Sequence, residues 1–261
     1  MPLPFRMPDE LDGPVVATAV HAGHDLRAET RDLVKLDEAV RLREEDPFTD
    51  QIAEGVGSAA VACRSRFEVD LNRPRESAVY RHPSDCWDLD VWDGDLPDDV
   101  VDRSLQIYDD FYRSLADRLD PLAEAGPFVV FDVHSYNHRR DGAASPPLPA
   151  ADNPDVNLGT GSMDRERWAP VVEALAGALG ATAVGGKPLD VRENVRFRGA
   201  NLAAWVHERY PDRGCAVAIE FKKTFMDEWT GELDQDHLLG LRAALRSAVP
   251  AVEGALDRVP A

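Results

Sequence analysis

Lysine is nearly missing from this 261-residue chain, standing only at Lys35, Lys187, Lys222 and Lys223. Arginine carries the remaining positive charge, yet 29 basic residues face 48 acids and leave a formal net charge of −19. A surface so acidic repels nucleic acid and anionic membranes, and neither is expected as a partner. A small anionic substrate stays possible if its site is locally positive. Cysteine is scarce too: Cys63, Cys86 and Cys215 are an odd number without C-x-x-C spacing. No disulfide framework is expected, and a reducing, cytoplasmic setting is. No run of about 18 apolar residues occurs, so no membrane span is expected. The opening MPLPFRMPDE has neither the basic nor the apolar region of a signal peptide.

What is present suits one α/β domain over residues 1–261, with 44% hydrophobic and 30% charged residues. "VVATAVHAGH" reads as a strand ending at His21, and Gly23 forces a turn after it. Asp46 before Pro47 has the form of an N-cap with proline at the first helical position. Val101, Leu105, Tyr108, Tyr112, Leu115, Leu119 and Leu122 recur at helical spacing and predict one long amphipathic helix. "FVVF" at 128–131 predicts a buried strand. Residues 141–162, rich in Pro, Ala, Gly and Asn, read as a long loop. Further helices are expected from Trp168 to Leu179, Leu202 to Tyr210 and His237 to Val249. "GCAVAIEFKK" is a buried strand containing Glu220. Strands alternating with helices imply a largely parallel sheet.

In such folds chemistry gathers at strand carboxyl ends. His21 and His134 both stand there, either as satisfied histidines or as members of one site. His24 follows in the glycine turn, where a two-histidine zincin helix cannot form. Asp46 is a plain helix cap or a carboxylate held rigidly near a strand end. Asn72 and Arg73 adjoin in "DLNR": either a surface ion pair, or a two-pronged grip on a substrate carboxylate. Glu220 breaks an apolar strand. It is either paired with Lys222 or Lys223, or held over a reaction centre as a general base.

Taken in order, "VHAGHD", "EEDPFTD", "VDLNRPRE", "FDVHSY", "FRGANL" and "AIEFKKTFMDE" resemble the N-formylglutamate amidohydrolase family, relatives of zinc carboxypeptidases and aspartoacylases. The resemblance spans residues 14 to 230. It implies a three-layer α/β/α carboxypeptidase-like fold and one catalytic Zn²⁺ per chain. It also implies metal ligands His21, Asp46 and His134, with Glu220 as catalytic glutamate. Asn72 and Arg73 would bind the substrate carboxylate, and Arg66 or Arg198 would stabilise the oxyanion, Arg66 as the catalytic arginine and Arg198 also as a substrate contact. Between His24 and Asp46 as third ligand, topology favours Asp46, because a helix start would hold it. The implied reaction is hydrolysis of an N-acyl amino acid, foremost N-formyl-L-glutamate. A peptidase or other deacylase on the same fold is the rival enzyme. A non-catalytic binding protein is disfavoured because Glu220 and both histidines are present. His24 and "FRGAN" depart from the family pattern and mark a subfamily.

Overall fold

The computed structural model describes residues 3–260. Seven strands form one mixed sheet: β1 (Phe5–Arg6), β2 (Val15–Ala19), β3 (Ala59–Ala62), β4 (Phe128–Tyr136), β5 (Val156–Gly159), β8 (Val191–Glu193) and β9 (Gly214–Lys222). Their spatial order is β1-β3-β2-β4-β9-β5-β8, with β6 (Ala183–Val184) and β7 (Lys187–Pro188) in a separate hairpin. The four central strands β3, β2, β4 and β9 run parallel, while β1 and β5 are antiparallel to their central neighbours. The helices are α1 (Ala28–Arg31), α2 (Glu38–Glu44), α3 (Thr49–Ala53), α4 (Asp98–Ala125), α5 (Ala169–Gly180), α6 (Asn201–Arg209) and α7 (Gln235–Leu256).

Alternation along the strands builds three layers. Val15, Ala17, Val129, Phe131, Val217 and Ile219 point to one face and pack with Val171 and Leu175 of α5 and Leu241 and Leu245 of α7. Val16, Phe128, Val130 and Ala216 point to the other, against Phe111, Leu115 and Leu119 of α4 and Leu202 and Val206 of α6. Strands buried on both faces read as continuous apolar runs, which is why "FVVF" stood out. Among the described residues no helix is long and apolar enough to cross a membrane.

Three sequence expectations change. β4 continues past Phe131 to Tyr136, so Asp132 and His134 are strand residues, buried throughout. The 141–162 loop contains β5, whose hydrogen-bonding partner β9 lies far along the chain. Asp46 does not cap a helix: α3 starts at Thr49, preceded by Phe48 in a left-handed conformation (φ 68°), with no side-chain cap. The Asp46 carbonyl, not its carboxylate, accepts from Thr49 Oγ1 at 2.6 Å. That leaves the carboxylate free to turn inward.

Candidate active site

At the carboxyl ends of β2, β4 and β9 the sheet opens into a cleft of about 780 Å³, within the range of ligand sites. His21 lies two residues beyond β2, and Gly23 explains its position. A Cβ on Gly23 would stand 2.4 Å from the Cys63 carbonyl carbon, so only glycine lets the chain turn against the end of β3. The backbone N–H of Asp46 donates to the His21 carbonyl at 2.9 Å, bringing the two residues together. His134 is paired in register with Glu220 across β4 and β9, which sets both side chains on the same face.

His21, Asp46 and His134 are all buried, and their potential ligand atoms lie within 4.8 Å of one another. Asp46 Oδ2 is 3.5 Å from His21 Nδ1 and 3.0 Å from His134 Nδ1. Bonds of about 2.0–2.2 Å to a shared ion would put ligand atoms at comparable separations. Behind each imidazole stands another aspartate. Asp70 Oδ1 accepts from His21 Nε2 at 2.6 Å, and Asp132 Oδ2 lies 3.0 Å from His134 Nε2. The Asp70 bond fixes the His21 ring and turns its Nδ1 toward the centre, the support that metal-binding histidines use, whereas Asp132 stands at ion-pair distance from His134 without an aligned hydrogen bond. Two imidazoles and a carboxylate are a zinc-type donor set, and the residues fit such an ion. His24 does not join them. Its Nδ1 pairs with Glu45 and its Nε2 approaches Glu38 at 3.3 Å, facing a separate surface cavity.

Neither backing aspartate was singled out as functional in the sequence. Asp70 is fully buried and also accepts from Arg66 Nη2 at 2.8 Å, the Asn72 N–H at 2.8 Å and the Tyr80 hydroxyl. Burial alone would raise its carboxyl, but Arg66 and His21 hold it well below the usual range. Asp132 anchors through Thr18 Oγ1, which donates to it at 2.7 Å. Burial opposes charge on His134, yet Asp132 and Asp46 raise it well above the ordinary histidine value. Asp46 behaves oppositely: burial would raise it, and the two histidines hold it far below.

Glu220 is the exception. Lysine pairing fails, because Lys222 Nζ bonds Asp155 at 2.6 Å and Lys223 Nζ bonds the carbonyls of Arg43 and Glu45. Among the described residues the Glu220 carboxylate makes no hydrogen bond or ion pair. Burial pushes it up to about 7, with His134 opposing and Asp46 and Asp132 adding to the rise. A carboxyl poised near neutrality is what proton transfer at pH 7 requires.

Five cationic side chains line the cleft (Arg66, Arg73, Arg140, Arg198 and Lys223) against four acids, Glu44, Asp46, Glu208 and Glu220. In a chain with 19 surplus negative charges, this is the local inversion an anionic substrate needs. Arg66 is held by Asp70 and stacks on exposed Trp87, 4.8 Å from its ring centroid. Arg73 bonds the Asp85 carbonyl at 3.2 Å. The Arg198 guanidinium has no hydrogen bond or ion pair among the described residues. The "FRGAN" segment carrying it passes so close over β5 that a Cβ on Gly159 would meet the Gly199 nitrogen at 2.4 Å. Asn72 is committed inward: its Oδ1 accepts the Leu202 N–H at 2.8 Å, and its Nδ2 sits 3.2 Å from His134 Nε2. It therefore caps α6 and braces the histidine.

Ser162, at the cleft edge, lies 2.9 Å from His207 Nδ1. This is no nucleophile pair. His207 Nε2 accepts the Ala216 N–H, so Nδ1 carries the proton and donates to the serine.

The family profile of N-formylglutamate amidohydrolase matches residues 13–226. The chain belongs to the N-formylglutamate amidohydrolase family. Membership makes it a hydrolase acting on an amide. N-formylglutamate amidohydrolase from Ralstonia eutropha JMP134 aligns over 98% of this chain and 99% of its own, with TM-score 0.73 and 18% identity. A gene product of Agrobacterium tumefaciens aligns over 95% and 92%, with TM-score 0.65 and 18% identity. At this identity the two structures establish the shared fold. No curated protein matches the sequence.

Proposed function

We propose that this amidohydrolase cleaves N-formyl-L-glutamate to formate and L-glutamate, using one zinc ion held by His21, Asp46 and His134. The supporting observation is the unpartnered Glu220 carboxylate beside a buried His–Asp–His group whose histidines are each backed by an aspartate. A zinc ion there would supply a Lewis acid for the amide carbonyl and a water acidic near neutral pH. Glu220 takes a proton as water oxygen adds to the formyl carbon. It returns that proton to the nitrogen as the C–N bond breaks, so the amine leaves neutral. Arg66, fixed by Asp70, presents positive charge to the developing oxyanion. Arg198, with Arg73, takes the substrate carboxylates, since a guanidinium grips a carboxylate with two parallel bonds.

The test is a hydrolysis screen of N-formyl, N-acetyl and N-succinyl amino acids, with the bound metal measured in the same preparation. N-formyl-L-glutamate should be the preferred substrate and zinc should bind at about one per chain. Preference for another acyl group overturns the substrate; a protein that turns over without any divalent ion overturns the zinc assignment.

A further inference from the structure

Among the described residues Lys223 is the one lysine that is almost wholly buried, 1% exposed, and the proton transfers above make no use of it. Enclosing an ammonium is costly unless its donors are satisfied. Here they are met by backbone: Nζ donates to the Arg43 carbonyl at 2.6 Å and the Glu45 carbonyl at 2.7 Å. These carbonyls belong to the end of α2 and its C-cap, where the last helical oxygens have no partner within the helix. Asn137 Nδ2 donates to the same Arg43 carbonyl at 2.9 Å. Lys223 itself is anchored by its N–H to the Tyr136 carbonyl at 3.0 Å, just past the paired ends of β4 and β9. The residue after Glu45 is Asp46.

We propose that Lys223 is a positioning residue for the metal site: it clamps the end of α2 onto the sheet and so sets Asp46 between His21 and His134. This rests on the zinc reading above. The clamp and simple electrostatics predict opposite signs. A cation near the site repels Zn²⁺, so deleting it for charge reasons alone would tighten zinc binding. Deleting a clamp loosens Asp46 and weakens it. The Glu45 side chain (bonded to Ser65 and His24) and the Asp46 N–H still tether the segment, so the loss should be partial.

The experiment measures the zinc Kd of wild type and Lys223→Met by chelator competition, with folding checked by circular dichroism. The cobalt-substituted visible spectra are recorded alongside. Lys223→Met should weaken zinc about 10–100-fold, the range for supporting residues of metal ligands. Its cobalt spectrum should move toward that of Asp46→Ala. Unchanged or tighter zinc binding, or a wild-type cobalt spectrum, overturns the proposal. Should Lys223→Met fail to fold, Lys223→Gln, neutral but polar and too short to span both carbonyls, is held to the same outcomes. Absence of zinc binding in wild type would instead defeat the zinc reading itself.

Discussion

Replacing Glu220 by glutamine should make the metal-free protein more stable and nearly inactive when metal is restored. Glu220 is half-buried, and that burial together with the Asp46 and Asp132 carboxylates raises its carboxyl from 4.5 to about 7. Between those values the unfolded chain releases the proton while the folded chain keeps it, so stability falls as pH rises through that window. At 1.36 kcal/mol per pH unit the cost approaches roughly 3 kcal/mol above pH 7 and vanishes below pH 4.5. Glutamine has the same shape and never ionises, so it escapes this cost. Urea unfolding of chelated wild type and Glu220→Gln therefore gives a pH-dependent gain. It should be up to about 3 kcal/mol at pH 8 and less than about 1 kcal/mol at pH 5. Carboxylates remote from Glu220 titrate alike in both proteins and cancel in the difference. Restored to zinc, the variant should bind metal and lose about 10²–10⁴-fold in kcat. A stability gain independent of pH, or none at pH 8, would refute the assigned burial; near-normal turnover would show another base.

Asp46→Ala should abolish tight zinc binding while His24→Ala retains it, as read by chelator competition; the reverse result makes the turn histidine the third ligand. Arg198→Lys and Arg73→Lys should each raise KM for N-formyl-L-glutamate with zinc content unchanged, because lysine keeps the charge but not the two-pronged grip. Unaltered KM in both variants removes them from substrate capture. Asp70→Asn should lower zinc affinity about 10–100-fold by disturbing the His21 ring; equal affinity by the same competition assay would show that the ring is oriented without it.

Local pattern carried the regular elements. The α4 periodicity and the apolar runs of β4 and β9 are written in consecutive residues, and the structure follows them. Where the reading stopped short, the cause was tertiary. β4 seemed to end at Phe131 because polar residues follow, but His134, Ser135 and Tyr136 line the cleft and the strand's hydrogen bonds continue with β9. β5 is four residues long in a loop-like composition, and a partner distant in sequence makes it a strand. Asp46-Pro47 has the signature of a helix start, yet Phe48 takes the left-handed turn and the helix begins later. Asp70 lies 49 residues from the histidine it backs, so no local pattern could single it out. A buried acid two residues before a histidine on one strand face, as in Asp132 and His134, is the nearest thing to a signal.

The register between β4 and β9 joins the candidate site to the assembly of the sheet. His134 and Glu220 oppose each other within nine consecutive paired positions, on strands that lie far apart in the sequence. Strand side chains alternate, so a slip of one residue would turn Glu220 to the opposite face and bury the wrong set of side chains along β9. A misaligned but stable version of this core is thus not available. Parallel pairing between such distant segments is also slow to form, because the intervening chain must first be ordered. During synthesis all three residues of the His–Asp–His group leave the ribosome well before Glu220 does. On the function proposed above, the nascent chain would carry its metal ligands before its base, and hydrolytic competence would arrive only with the closing strand.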